Sequence, residues 1–220
     1  MKNFNFVILF FMFTVSIFVQ SSFSETQLQQ IIARAQQGDP QSEYELASIY
    51  ENGRGVKKDF AEALRWYEKA AEQGHIGAQI DLGWFYQSGE GVNKDINKAI
   101  DFYEKAAQQG NSQAQLNLGV LYDEGVDVSE NNKLAVEWYK KSADQGNEIA
   151  MLKLGVCYWK GKGVPQDNEK AWNLLNQVRM TASNKKAQWK ARGILEEMKG
   201  KLGIKNGEFS YPNWDKLKKN

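Results

Sequence analysis

The sequence predicts an all-α protein, an α-solenoid of about four 36-residue helix-turn-helix repeats with a capping helix at each end. Three observations carry this. Gly38, Gly74, Gly110 and Gly146 recur at one fixed interval, and the last three close the related segments YEKAAEQG, YEKAAQQG and YKKSADQG. A period of this length marks one supersecondary unit copied and stacked. Further columns share the spacing: Tyr50, Tyr86, Tyr122 and Tyr158; Leu46, Leu82, Leu118 and Leu154; Ala63, Ala99, Ala135 and Ala171. Between them apolar residues fall at three- and four-residue steps, the pattern of a helix with one buried stripe.

The first segment stands apart. Lys2 is followed by an apolar run from Phe6 to Val19, then by Ser22 and Ser24 just ahead of Glu25. A positive start, a short apolar stretch and a small-x-small site predict a signal peptide over 1–24, cleaved after Ser24. The run is shorter than the roughly 20 residues of a spanning helix. A periplasmic or secreted protein without a stable membrane span after cleavage is therefore expected. The chain holds 28 Lys+Arg against 27 Asp+Glu, and Lys2 is one of the 28. That balance gives no support for nucleic-acid binding. Cys157 is the single cysteine, so no internal disulfide forms and stability rests on packing.

The solenoid is expected over 25–200. Residues 26–37 read as the second helix of an incomplete unit that caps the front. The repeats follow at 42–74, 78–110, 114–146 and 150–182. Their first helices are expected at 42–52, 78–88, 114–124 and 150–160, and their second helices at 59–73, 95–109, 131–145 and 167–179. Residues 185–200 read as the back cap. The turns carry NGRGVKKD, SGEGVNKD and KGKGVPQD. Their first glycine (Gly53, Gly89, Gly161) suits a left-handed helix end, and the second (Gly55, Gly91, Gly163) permits another tight bend. Val56, Val92, Val128 and Val164 plug the turns into the core, and Asp59, Asp95 and Asp167 are placed to cap the next helix. Repeat three has Asp127 and Asn131 at two of these positions, which predicts a variant turn. In the 201–220 tail, Phe209, Tyr211 and Trp214 surround Pro212. A lid on the last helices, a strand of chain in the groove and a partner motif all remain open for it.

The segment AQIDLGWFYQSGEGVNKDINKAIDFYEKAAQQG, residues 78–110, resembles the Sel-1-like repeat, a relative of the tetratricopeptide repeat. The resemblance covers about 42–180. It implies a right-handed superhelix whose first helices line a concave face. Exported bacterial proteins of this kind include scaffolds of envelope assemblies and periplasmic immunity proteins that neutralise antibacterial effectors. A cell-wall-active enzyme is suggested by similarity to disulfide-rich members, whose cysteine pairs this chain lacks. Repeat four departs from the pattern, ending WNLLNQVRMTAS, as terminal repeats do.

No constellation asks for catalysis, a cofactor or a metal. G-x-S-x-G, P-loop and H-E-x-x-H motifs are all absent from the sequence. His75 shares a column with Asp39, Asn111 and Asn147 and reads as a turn residue. Cys157 shares one with Ile49, Phe85 and Leu121 and reads as buried. What remains is one side of each first helix: Tyr44 and Ser48, then Ile80, Trp84 and Gln87, then Leu116, Val120 and Asp123, then Leu152, Val156 and Trp159. Either this ribbon is an exposed partner-binding surface, or its large residues fill space between repeats. Trp84 and Trp159 are the two expected to be exposed. The predicted function is an exported adaptor or scaffold that binds another protein through this face.

Overall fold

The computed structural model describes residues 25–125 and 129–204, and among these it contains ten α-helices and no strand. They are α1 (Glu25–Gln36), α2 (Pro40–Asn52), α3 (Phe60–Glu72), α4 (Ile76–Ser88), α5 (Ile96–Gln108), α6 (Ser112–Glu124), α7 (Asn132–Asp144), α8 (Glu148–Lys160), α9 (Asn168–Thr181) and α10 (Lys185–Leu202). The expected leader, Asp127, Val128 and the tail aromatics lie outside the described residues. The all-α helix-turn-helix solenoid class is as the sequence predicts, with both expected capping helices formed as α1 and α10. The chain divides after Asp95 into two units, one holding α1–α4 and the other α5–α10.

Eight of the ten helices, α2–α4 and α6–α10, start where a side chain accepts from their free amides. Asp39, Asn111, Asn147 and Asn184 do so at the heads of α2, α6, α8 and α10. Asp59, Asn131 and Asp167 do so at α3, α7 and α9. Asn131 thus caps as its aspartate counterparts do. His75 is more than a turn residue. Its Nδ1 accepts from the Ala78 amide at 3.2 Å, capping α4, and its ring stacks on Tyr44 at 4.4 Å. Nδ1 can accept only when unprotonated, so Nε2 carries the hydrogen and donates to Gln41 Oε1 at 3.1 Å.

In the carboxy-terminal unit the helices of a repeat meet at small residues. A Cβ added to Gly119 would stand 2.5 Å from the Tyr139 ring and 3.3 Å from the Ala135 carbonyl. Ala63, Ala99, Ala135 and Ala171 are all fully buried. So are Leu46, Leu82 and Leu118, with Leu154 nearly so. Each such leucine contributes about 1.5–3 kcal/mol. Polar clasps fasten the helices further along. Gln73 Nε2 donates to the buried Glu43 at 2.7 Å, and Gln145 Nε2 to the buried Gln115 at 2.7 Å. Val56, Val92 and Val164 are only half-buried, Val164 packing against the core of α6, α7 and α8.

Gly163 shows how a turn is tied to the preceding repeat. Its φ is +74°, and a Cβ there would collide with the backbone carbonyl of Asn132 at the start of α7. Gly146 has φ +82° with open space around it. Gly146→Ala should therefore cost about 1–2 kcal/mol, the left-handed penalty alone. Gly163→Ala should cost roughly 3 kcal/mol or more, adding a clash the backbone cannot relieve. Equal melting temperatures for the two variants would contradict the packing.

The His75 cap makes a second expectation. Burial holds its pKa below the ordinary 6.5. A lowered folded value means the cap is complete above about pH 6.5 and is lost as pH falls through the lowered value. Between pH 8 and pH 5 the natural chain should lose about 1 kcal/mol more stability than His75→Asn, which caps at both pH values. Identical pH slopes in denaturant titrations would remove His75 from this role.

Candidate functional site

In the amino-terminal unit, α2 and α4 bring Tyr44, Ser48, Ile80, Trp84 and Gln87 into the structure's account, and most are already engaged. The Tyr44 hydroxyl hydrogen-bonds Asp81, and its ring stacks on His75 and lies 5.6 Å from Tyr67. Ser48 Oγ accepts from Arg54 at 3.0 Å. Ile80 and Gln87 are half-buried. Trp84 differs: it is 45% exposed, with its ring set edge-on to Phe85 at 5.2 Å. Two carboxylates lie among these residues. The Tyr67 hydroxyl donates to Glu51 at 2.6 Å. Burial raises the Asp81 pKa, the Tyr44 hydrogen bond opposes that, and the Glu51 charge adds to it. Burial and Asp81 in turn push Tyr44 up to about 12. Tyr44 and Tyr67 thus act as donors that satisfy acids, not as bases.

The carboxy-terminal unit corrects the expectation for three residues. Leu116, Leu152 and Trp159 are buried, at 5%, 7% and 7% exposure. Leu116 fills space against Leu154 and Cys157 of α8. Leu152 and Trp159 belong to a cluster with Leu195 and Met198, because α10 folds onto this end of the array. Trp159 was the wrong tryptophan to expect in solvent. Its column holds Glu51, Gln87 and Asp123 in the other repeats, and Leu175 stands in the column of Tyr67, Tyr103 and Tyr139. In repeat three the Tyr139 hydroxyl donates to Asp123 at 3.1 Å. In repeat four the same two columns carry an apolar pair, and the cap covers it.

Asp123 is a structural junction. It accepts from Tyr139 and from Lys162 Nζ at 2.8 Å, with Lys153 at 3.6 Å. Burial pushes its carboxyl up, but Lys162, Tyr139 and Lys153 together outweigh that and hold it below the ordinary carboxylate value. Around it opens a cleft of about 340 Å³, floored by Leu152, Val156, Cys157 and Ile194 and rimmed by Lys153, Lys160, Lys162 and Lys190. The sequence reading found Asp123, Leu152 and Val156 but missed the lysines. Lys160 and Lys162 flank the turn glycine of repeat four and Lys190 comes from the cap, so no single helix face shows the ring. The Cys157 thiol is buried and pushed up to about 11 by that burial, which keeps it protonated.

Val120 is half-buried. Among the described residues no group of three or more His, Cys, Asp or Glu is arranged to hold a metal, and no helix is long and apolar enough to cross a membrane.

The helix pairs, caps and turns described above recur at the positions of a known unit. The Sel1 repeat matches residues 40–75, 76–111, 112–147 and 149–177, more than half of the chain. The chain belongs to the Sel1-repeat family. Such repeats are generally non-enzymatic protein-interaction scaffolds. Among solved structures it is similar to a protective antigen of uropathogenic Escherichia coli with an SLR fold, at 33% identity and TM-score 0.74 over 80% of this chain. It is also similar to a Sel1 repeat protein from Oxalobacter formigenes, at 33% identity and TM-score 0.66 over 73% of this chain. It spans 37% and 64% of those chains, less than two thirds of either. No curated sequence matches it.

The two tryptophans separate by burial. Trp159→Ala should lower stability by about 3–5 kcal/mol, as a buried aromatic does. Trp84→Ala should change it by less than about 1.5 kcal/mol, because much of its ring is already in water. Chemical denaturation of both variants would show it, and a reversed order would contradict the burial.

Proposed function

We propose that this Sel1-repeat protein is an exported adaptor that binds a partner protein through the exposed sides of its first helices. Trp84 carries the reading. It is a large aromatic left 45% exposed on α4 while Tyr44 and Ser48 nearby are tied into internal contacts. Tryptophan dominates binding hot spots because it buries much area at little entropic cost. Val156 and the lysine-rimmed cleft offer the carboxy-terminal unit a second contact of different chemistry. Leu152 floors that cleft, while Leu116 and Trp159 are buried in the core. Lys2, the Phe6–Val19 run and the Ser22/Ser24 site favour export with Glu25 as the first mature residue.

Intact-mass analysis of protein from the envelope fraction should give Glu25 at the amino terminus; a full-length product confined to the cytoplasm would refute export. A partner that co-purifies there should bind Trp84→Ala about thirtyfold more weakly, equivalent to about 2 kcal/mol. Unchanged affinity would refute the Trp84 face. An antibacterial effector as that partner would make the protein an immunity protein instead of a scaffold.

A further inference from the structure

The geometry points to a further docking site, for an acidic segment of a partner protein, on the first half of α10 and the end of α9. It does not depend on the role given to Trp84. From Lys170 to Leu195 the chain carries six cationic side chains and no carboxylate. Arg179, Lys185 and Arg192 line one cleft of about 470 Å³ with Gln188 and Trp189. Lys186 and Lys190 are exposed on the same turns of α10.

Lys170 pairs with Asp167, but the fold does not account for the charge at Lys185, Lys186, Lys190 and Arg192. Lys185 and Lys186 open α10, where the helix macrodipole disfavours cations, and its first turn has no acidic residue to offset them. Among the described residues no ion pair holds Lys185, Lys186, Lys190 or Arg192. Lys185 contacts the neutral Gln188 amide at 3.4 Å, and Arg179 forks onto the neutral Asn176 amide. Glu148 reaches this corner from α8, but it accepts from the Ser183 and Asn184 amides and its pKa is lowered by them. A residue set that breaks the local rule for its helix without a structural return marks function.

The aromatic content narrows the ligand. Trp189 is 76% exposed and Met180 is 63% exposed. Arginine, tryptophan and methionine together are the composition of protein interfaces, and arginine takes a carboxylate through two parallel hydrogen bonds. A membrane surface fits less well. The apolar stripe of α10, Ala187, Ala191, Leu195 and Met198, is spent on the core and cannot enter a bilayer. A nucleic acid fits less well on a chain whose 28 basic and 27 acidic residues nearly cancel. The occupant is a stretch with several carboxylates for Arg179, Lys185 and Arg192 and an apolar side chain for Trp189.

The probe is a fluorescein-labelled dodecapeptide of Glu and Asp with two Phe, titrated with the full mature chain and read by anisotropy. Saturable binding should weaken as salt rises from low to high concentration. Arg179→Gln with Arg192→Gln should lower affinity about tenfold or more, and Trp189→Ala about fivefold. The equal charge loss in Lys133→Gln with Lys140→Gln should change it less than about twofold. Circular dichroism and melting of each variant should match the natural chain. The proposal is overturned by absence of saturable binding, by equal binding of the Gln/Asn version of the peptide, or by equal loss in the Lys133/Lys140 control. Tighter binding of phosphatidylglycerol vesicles or of a single-stranded oligonucleotide through the same residues overturns it in favour of those ligands. Self-association abolished by Trp189→Ala assigns the face to a second copy and overturns it too.

Discussion

The bare backbone at Gly119 is the constraint on which much of the carboxy-terminal unit depends. Because it has no Cβ, the Tyr139 ring occupies that space against α6. The ring's position brings its hydroxyl to Asp123, and Asp123 in turn holds Lys162 in the turn after α8. That turn also lays Gly163 against the start of α7. One missing methyl thus fixes a tyrosine, an acid, a lysine and the register of the next repeat. The lysine–carboxylate attraction itself is partly screened by solvent. Its larger effect is to leave no buried carboxylate oxygen unsatisfied at the junction.

Repeat four shows what happens to this arrangement at an end. The columns of Tyr139 and Asp123 become Leu175 and Trp159, and the clasp columns of Gln115 and Gln145 become Met151 and Thr181. Met151, Trp159 and Leu175 all enter the cluster closed by α10. An interior repeat fastens its two helices with polar bonds whose other surfaces face another repeat. Among the described residues the terminal one is covered by α10, and apolar contact is the simplest way to make that helix stay. The same helix then presents the cations of its first half outward.

The repeat period made the helices, their caps and the glycine turns legible, because each is set by residues within one unit. Asn131 could be read as a cap from its column alone. His75 could not be weighed fully, since its column says only that a helix begins there. Its stacking on Tyr44 and its bond to Gln41 come from the neighbouring repeat. Trp159 was misjudged for a related reason. Its place on α8 matches the column of Asp123, but its exposure is decided by α10, which lies outside the repeat pattern. The lysine ring escaped notice because Lys153, Lys162 and Lys190 come from a helix, a turn and the cap.

The substitutions in repeat four also give the array a direction of growth. The interior units keep polar residues in the fastening columns, so a further copy inserted among them would meet groups that can hydrogen-bond to it. A copy of repeat four placed there would set Trp159 and Met151 where its neighbours offer hydroxyl and amide groups. An interior unit placed last would turn a tyrosine hydroxyl and a glutamine towards Leu195 and Met198. Lengthening of this gene by duplication is therefore open in the middle and closed at its carboxy-terminal end.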